Sequence, residues 1–478
     1  MIRTYFMKST SSLLVFSFIF ATTFTFSTFA DDSGGDRRSL ENRIQELEAN
    51  LKQTGYDGVK GSGIKISGYA DTSYIANLSD RDDSGPVAGG SQAIGVGNTG
   101  RLFDSQFDSF NLNALKLTFE KDQDQSKFPA GFRVDTMYGS DAAVMNGGNS
   151  LGGTANDSEF TLEQAYISLG VPIGSGVTVK FGKTVSLLGF EVIESPANWQ
   201  FSRNDAFRLE PATQTGVTFY YKWNDYIAST LGVINGGDNP VGGSTIFGSG
   251  NRNLDMSFVG RIDMTSPKWG CGDFTAFVDA LYGNDTITPF TGTGLPATFS
   301  TSNAQQQYIW SLGGTWNQSC GCKPLALGIE YLYRNDTVNT AAFAPTGTPN
   351  ATIDASALSI YGKWDWNKWL TTSGRFSYSW YHNALQNAGG VLVSQQSLGP
   401  LTIPFGAGST IPAQTDNFSF TLTQAFNVWK DTLVRLEWRR DWTTSKAVGF
   451  GATGTGTAAR DDIRQEQDTL AVNLVYSF

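Results

Sequence analysis

Histidine is almost missing from this chain. His382 is the single one in 478 residues. That excludes a metal centre built on several imidazoles and leaves one place for a Ser–His nucleophile. Such a pair needs a serine one strand period from the histidine, and position 384 is Ala. Charge is also thin, at 16% of residues against about 25% in soluble domains. What charge there is sums to −10, which gives no basis for binding nucleic acid. After the N-terminus no apolar run reaches the roughly 20 residues of a membrane-spanning helix. Cysteine is limited to Cys271, Cys320 and Cys322, too few and too closely set for a zinc site of C-x2-C type. The sequence thus predicts neither an enzyme nor a bound cofactor.

What the chain does have is glycine (54 residues), aromatics (13%) and 12 tryptophans. That mixture suits many strands, many turns and rings that anchor at a lipid–water boundary.

The N-terminus reads as an export signal over 1–30. Arg3 and Lys8 precede the apolar run Leu13–Phe20, and Ala30 is followed by Asp31. Residues 31–62 read as a polar linker and a short periplasmic helix. Leu40, Ile44, Leu47 and Leu51 repeat at +4, +3, +4, a heptad seam of about two repeats, too short to stand alone. A coiled coil among three copies and a solvated helical tail both fit.

From Gly63 the periodicity becomes two. Phe376, Tyr378 and Trp380 alternate with Arg375, Ser377 and Ser379; Val434, Leu436 and Trp438 alternate with Arg435, Glu437 and Arg439. About 16 such segments are legible, near 63–78, 107–121, 128–138, 160–170, 177–184, 215–223, 226–234, 256–265, 272–282, 307–317, 325–335, 355–365, 370–381, 416–427, 431–441 and 468–478. The second slips register near Ala114, which predicts a bulge. Connections alternate short and long. Trp223, Trp269, Trp316, Trp364, Trp366, Trp369 and Trp429 sit at or beside the short ones, as an interfacial girdle would. One-sided strands of about ten residues, short turns at one end and long loops at the other define a transmembrane antiparallel β-barrel over 63–478. In hydrocarbon an open edge is not viable, so the last strand is expected to pair with the first.

Several stretches resemble the β-barrel porin family of Gram-negative outer membranes. They are Ile66-Ser67-Gly68-Tyr69-Ala70-Asp71-Thr72, Glu163-Gln164-Ala165-Tyr166-Ile167, Lys180-Phe181-Gly182-Lys183, and above all Gly189-Phe190-Glu191-Val192-Ile193-Glu194-Ser195-Pro196-Ala197-Asn198 with Phe201-Ser202-Arg203. The resemblance covers roughly 64–240 and the last strand. Separately, Cys320-Gly321-Cys322 after Trp316 resembles a turn of chlamydial major outer-membrane porins. The family implies an outer-membrane, water-filled channel for passive diffusion of small hydrophilic solutes and ions. Expected partners are outer-membrane lipids, those solutes and two further copies of the chain as a homotrimer. An anion-selective porin and a surface structural protein or adhesin are the alternatives. A plugged, energy-coupled transporter would need more chain before the barrel than 31–62 provides.

The site residues follow from position and phase. In general porins the third long loop, here 185–214, folds inward. It carries Glu191, Glu194, Asp205 and Glu210 beside Arg203 and Arg208. With the apolar phase outward, Arg133, Asp135, Lys180, Arg261, Asp263, Glu330, Arg375, Arg435, Glu437 and Arg439 face the lumen, since a lipid-facing charge at the midplane costs about 2–4 kcal/mol. Loop acids opposite wall arginines are expected to set a transverse field at the eyelet. Cys271, Cys320 and Cys322 fall in neighbouring short turns, where Cys271 can bridge either of the others. Asp80, Asp82 and Asp83 cluster in the first long loop, with too few ligands for a full calcium set.

Overall fold

The computed structural model describes residues 63–79, 98, 101–104, 106–123, 128–145, 159–238, 256–267, 271–285, 305–318, 324–338, 351–382, 414–444 and 466–478. The expected export signal, the 31–62 helix, the Asp80–Asp83 cluster, Trp269, Cys320 and Cys322 lie outside the described residues.

Each alternating segment is a strand. In order they are β1 (Lys65–Asn77), β2 (Ser109–Lys121), β3 (Ala130–Tyr138), β4 (Phe160–Val171), β5 (Val177–Val185), β6 (Thr213–Lys222), β7 (Ile227–Asp238), β8 (Ser257–Thr265), β9 (Gly272–Asp285), β10 (Gln305–Gln318), β11 (Leu325–Val338), β12 (Ala351–Asp365), β13 (Leu370–His382), β14 (Gln414–Phe426), β15 (Thr432–Thr443) and β16 (Glu466–Ser477). One short helix, α1 (Ser140–Met145), follows β3. Every strand pairs antiparallel with its sequence neighbours, and β1 pairs with β16, so the sheet is a closed barrel. At that seam Gly68 and Phe478 exchange backbone N–H···O bonds of 2.9 Å each.

The period of two sets which side chains meet lipid and which the interior. On β15, Arg435, Glu437, Arg439 and Asp441 are buried while Leu436 and Trp438 alternate on the other face. On the outer face Ile167, Phe181, Leu231, Phe258, Ile329, Ile360 and Leu474 remain exposed. An exposed apolar belt around a ring without edges is what a bilayer requires and water does not favour.

Two bulges reverse this phase partway along a strand. Asp71 faces Ala114 but Thr72 faces Leu112, so Asn113 is the extra residue on β2. Phe110 and Leu112 are exposed before it; Leu115 is exposed after it, and Lys116 turns inward. On β4, Asp135 faces Gln164 and Thr136 faces Leu162, which leaves Glu163 as the extra residue. Each bulge delivers an additional polar side chain to the interior.

The short turns reuse one device. Asn224 Oδ1 accepts the N–H groups of Tyr226 and Ile227 at 2.8 and 2.9 Å. Asn367 Oδ1 accepts those of Trp369 and Leu370 at 2.9 Å each. The asparagine closes the turn with its own side chain. The tryptophan before it donates Nε1–H to Ser229 or Thr372 on the outgoing strand, at 2.9 and 2.8 Å. Trp223, Trp366 and Trp429 are exposed at this end.

The interior is not uniformly polar. One apolar cluster joins Tyr69, Met137 and Val475 of the wall to Leu102, Phe103, Val144, Ile193 and Phe207 from loops and α1. A second joins Ile234, Leu281, Ile309 and Leu332 of β7–β11 to Leu188, Ala206 and Leu209. Loop segments are therefore packed inside the barrel by ordinary apolar burial.

Candidate functional site: the loop inside the barrel

The connection 186–212 between β5 and β6 has neither strand nor helix period. Gly189, Pro196 and Pro211 interrupt it, and its only regular piece is one 3-10 turn at Ser195–Ala197. An irregular backbone away from water must find a partner for each N–H and C=O. The barrel wall supplies them with charged side chains of matching sign. Wall carboxylates accept the loop's N–H groups: Gly189 donates to Asp279 (3.2 Å), Phe190 to Glu330 (2.8 Å), and Phe201 and Ser202 to Glu437 (2.6 and 3.0 Å). Wall arginines donate to the loop's carbonyls. Arg261 reaches Leu187 and Gly189 (2.8 and 3.0 Å), and Arg334 reaches Leu209 (2.9 Å). Arg375 reaches Ser202 and Arg203 (2.6 and 3.2 Å), Arg435 reaches Ser195 and Gln200 (3.0 Å each), and Arg439 reaches Arg203 (2.6 Å). On the other arc Lys116 of β2 grips Glu194 at 2.5 Å. A loop bonded to β2, β8, β9, β11, β13 and β15 of one closed ring passes through its interior.

The acids and arginines predicted from the sequence are mostly in direct contact. Glu191 pairs with Arg375 at 2.7 Å, and Asp205 lies 3.7 Å from both Arg208 and Arg439. Arg203 turns back on its own loop, donating to Val192 and Phe201 (2.9 and 2.7 Å), with its guanidinium 5.1 Å from the Phe103 ring centre. Arg261 pairs with Asp263 (2.8 Å) and Asp279 (3.2 Å) and covers the Phe277 ring at 4.1 Å. Arg133 and Lys180 are not drawn to the loop. Arg133 pairs with Asp135 (3.0 Å) and Glu120 (3.4 Å), and Lys180 lies 4.7 Å from the Tyr166 ring. Glu210 stands apart: neither of its carboxylate oxygens has a hydrogen-bond partner.

Several participants were not read from the sequence. Lys116 binds Asp135 (3.2 Å), Glu163 (2.9 Å) and Glu194 (2.5 Å), and both Lys116 and Glu163 owe their inward position to the bulges. Asp279 and Arg334 share the inward phase of their strands, so simple alternation signals them. Asn204 bonds Glu330 Oε2 at 2.7 Å and passes its own N–H to Glu191 at 2.7 Å. Arg101, from the first long loop, reaches in to Asp441 at 2.7 Å, and no periodicity in that loop announces it.

Two cavities flank the loop's first half. One, about 360 Å³, opens among Phe190, Trp199, Tyr361, Phe277 and the ends of β8–β10 beside the short turns. The other, about 330 Å³, lies between the loop and β7–β8. Phe190, Glu191, Arg261 and Asp263 line both. Phe190 packs on Tyr361 with ring centres 4.7 Å apart, and Trp199 stands edge-on to both at 6.1 Å.

The loop's titratable groups divide by their neighbours. Burial pushes the Glu194 carboxyl up, but Lys116 outweighs this and holds it below the usual carboxylate range. Burial pushes Glu210 well above that range, and Glu330, Asp279 and Glu191 add to the rise while Arg261 opposes it. Asp141, in α1, is raised by burial and then by Asp71. Cys271 is disulfide-bonded; the two other cysteines lie outside the described residues.

A closed sixteen-stranded antiparallel ring with an apolar outer belt and a loop bound within it defines a transmembrane β-barrel. Residues 63–478 match the model of the family described as "Putative beta-barrel porin-2, OmpL-like", and the chain belongs to that porin family. No curated protein matches it. Among solved structures it is similar to OmpT, an outer membrane protein of Vibrio cholerae (11% identity, 88% of this chain and 100% of that one, TM-score 0.49). It is similar also to the outer membrane channel DcaP of Acinetobacter baumannii (12% identity, 89% and 99% covered, TM-score 0.49). A third is the anion-selective porin of Comamonas acidovorans (12% identity, 87% and 99% covered, TM-score 0.46).

Proposed function

We propose that this protein is an outer-membrane general-diffusion porin, exported by its first 30 residues and assembled as a homotrimer. Small hydrophilic solutes and ions cross it passively, past a constriction formed by loop 186–212 and the charged wall around it. The observation that carries this reading is the loop itself, fixed across the lumen by carboxylates and arginines from opposite arcs of the ring. Its contacts leave two cavities beside it, lined by aromatic side chains together with Glu191, Arg261 and Asp263.

The anion-selective alternative draws less support. Arg334, Arg375, Arg435 and Arg439 are buried and donate to loop carbonyls. Each is already engaged by the backbone it holds in place, and a passing anion would have to displace that backbone.

The test is a planar bilayer recording on protein refolded in detergent, with heat-modifiable migration as the check on folding. Stable, ohmic steps and swelling of liposomes by small sugars are the expected result. A folded barrel that gives neither would overturn the reading. The trimer is tested separately by the mass of the detergent complex in light scattering.

A further inference from the structure

Glu210 differs from every other charged residue of the loop. It is 1% exposed, and neither carboxylate oxygen accepts a hydrogen bond. It lines the cavity of about 330 Å³ between the loop and β7–β8. Gly189, left-handed at φ +85°, lies flat against it: a Cβ there would fall 1.9 Å from Glu210 Oε2. A buried carboxylate with no donor is costly, and a proton, solvation or a counter-charge must meet that cost.

The cationic side chains around this cavity are engaged elsewhere. Arg261 is shared among Asp263, Asp279 and the carbonyls of Leu187 and Gly189. Arg375 holds Glu191, and Lys116 holds Glu194. Arg334 from β11 donates to the carbonyl of Leu209 beside Glu210, and the charged side chains that line the cavity are Glu191, Glu194, Glu210 and Asp263 against Arg261. Negative charge therefore exceeds positive around a hollow of molecular size. The same sign holds across the interior: among the described residues twelve carboxylates and nine cationic side chains are buried.

Resting on the porin reading, we propose that Glu210 is a binding station for a small monovalent cation, metal or primary ammonium, that passes through the loop cavity. The charge count argues for a monovalent ion. A divalent ion of the calcium type takes about 6–8 oxygens, several from carboxylates. Among the described residues the tight three-carboxylate group is Asp135, Glu163 and Glu194, and Lys116 already sits in it. At Glu210 one carboxylate without a hydrogen-bond partner suits a single positive charge that binds and leaves.

The experiment is the reversal potential of single channels in a KCl gradient, then with methylammonium chloride replacing KCl on one side. The wild-type channel is expected to favour the cation. Glu210→Gln, which keeps size and shape, should move the reversal potential toward zero with conductance retained, and Glu210→Asp should keep most of the selectivity. A methylammonium permeability below that of potassium in the wild type and equal to it in Glu210→Gln would identify the metal ion as the better occupant; the reverse order would favour the ammonium. Open channels whose reversal potential is the same in wild type and Glu210→Gln would overturn the site and leave the porin reading intact. If no channel conducts, sodium-23 relaxation of the folded barrel in detergent still decides. Broadening that Glu210→Gln removes supports the site, and equal broadening in both proteins rejects it.

Discussion

The two flanks of the inner loop make opposite use of the same residue types. Toward β13 and β15, Arg375, Arg435, Arg439 and Glu437 bond the backbone of residues 195–204. That flank is an adhesive seam, although Arg375 Nε and the Gln200 amide find no partner in it. Toward β7–β9, Arg261 alone serves two carboxylates and two carbonyls, Glu210 is unmatched, and the cavity lies on this side. A charged residue in a barrel lumen can therefore solvate a folded-in loop or address a passing solute. Only its partners distinguish the two, because its phase on the strand is the same in both cases.

The largest expected effect comes from breaking the adhesive flank. Arg375→Ala removes two carbonyl contacts and leaves Glu191 buried without its partner, which costs about 3–5 kcal/mol where a buried pair is cut on one side. A lower urea midpoint in detergent, with larger and noisier channel steps, is expected. Unchanged step size would mean that the loop does not restrict the path. Glu437→Gln keeps one acceptor for the N–H groups of Phe201 and Ser202 and loses the charge, for about 1–3 kcal/mol. Its midpoint should fall less than that of Arg375→Ala.

The third prediction turns on pH. The Glu194 carboxyl is depressed, despite burial, by Lys116. Its contribution to stability is therefore present above the ordinary carboxylate range and is lost as pH falls through its lowered value. In wild type the loop should stay anchored through mildly acidic pH and loosen only below it, read as conductance noise. In Lys116→Met that acid-loosening step should vanish. Glu210 has the opposite sign: its raised value means that it takes up its charge only as pH rises, so cation preference should grow with pH. At the small end, Lys222 and Asp225 pair at 2.8 Å in an exposed short turn. Asp225→Asn should leave midpoint and conductance unchanged, since such pairs contribute little.

Much of the barrel was legible in the sequence because lipid on one side and polar interior on the other impose a period of two. All sixteen expected segments are strands, and the register slip near Ala114 is the bulge at Asn113. The closing pairing of the last strand with the first also follows from the need to leave no edge. The site was legible as a set of residues and not as a set of contacts. Phase could show that Arg375 and Arg435 point inward; it could not show that one meets Glu191 and the other the carbonyls of Ser195 and Gln200. Lys116 and Glu163 stayed hidden because a bulge reverses inside and outside within one strand. Arg101 stayed hidden because an irregular loop has no period to read. The solitary state of Glu210 is likewise a property of its surroundings, which its neighbours in sequence do not supply.

The reciprocal bonds between Gly68 and Phe478 bear on how the molecule is made. β1 and β16 stand some 400 residues apart along the chain, so theirs is the contact of greatest chain separation and the slowest to find by diffusion. Until they meet, the growing sheet has two ladders of unsatisfied peptide groups facing oil. A half-built ring is thus a worse guest of the bilayer than either an unstructured chain in water or a finished one in lipid. Insertion then favours completing the circle over stopping partway, and any helper that shields the two raw edges until they join removes most of the barrier.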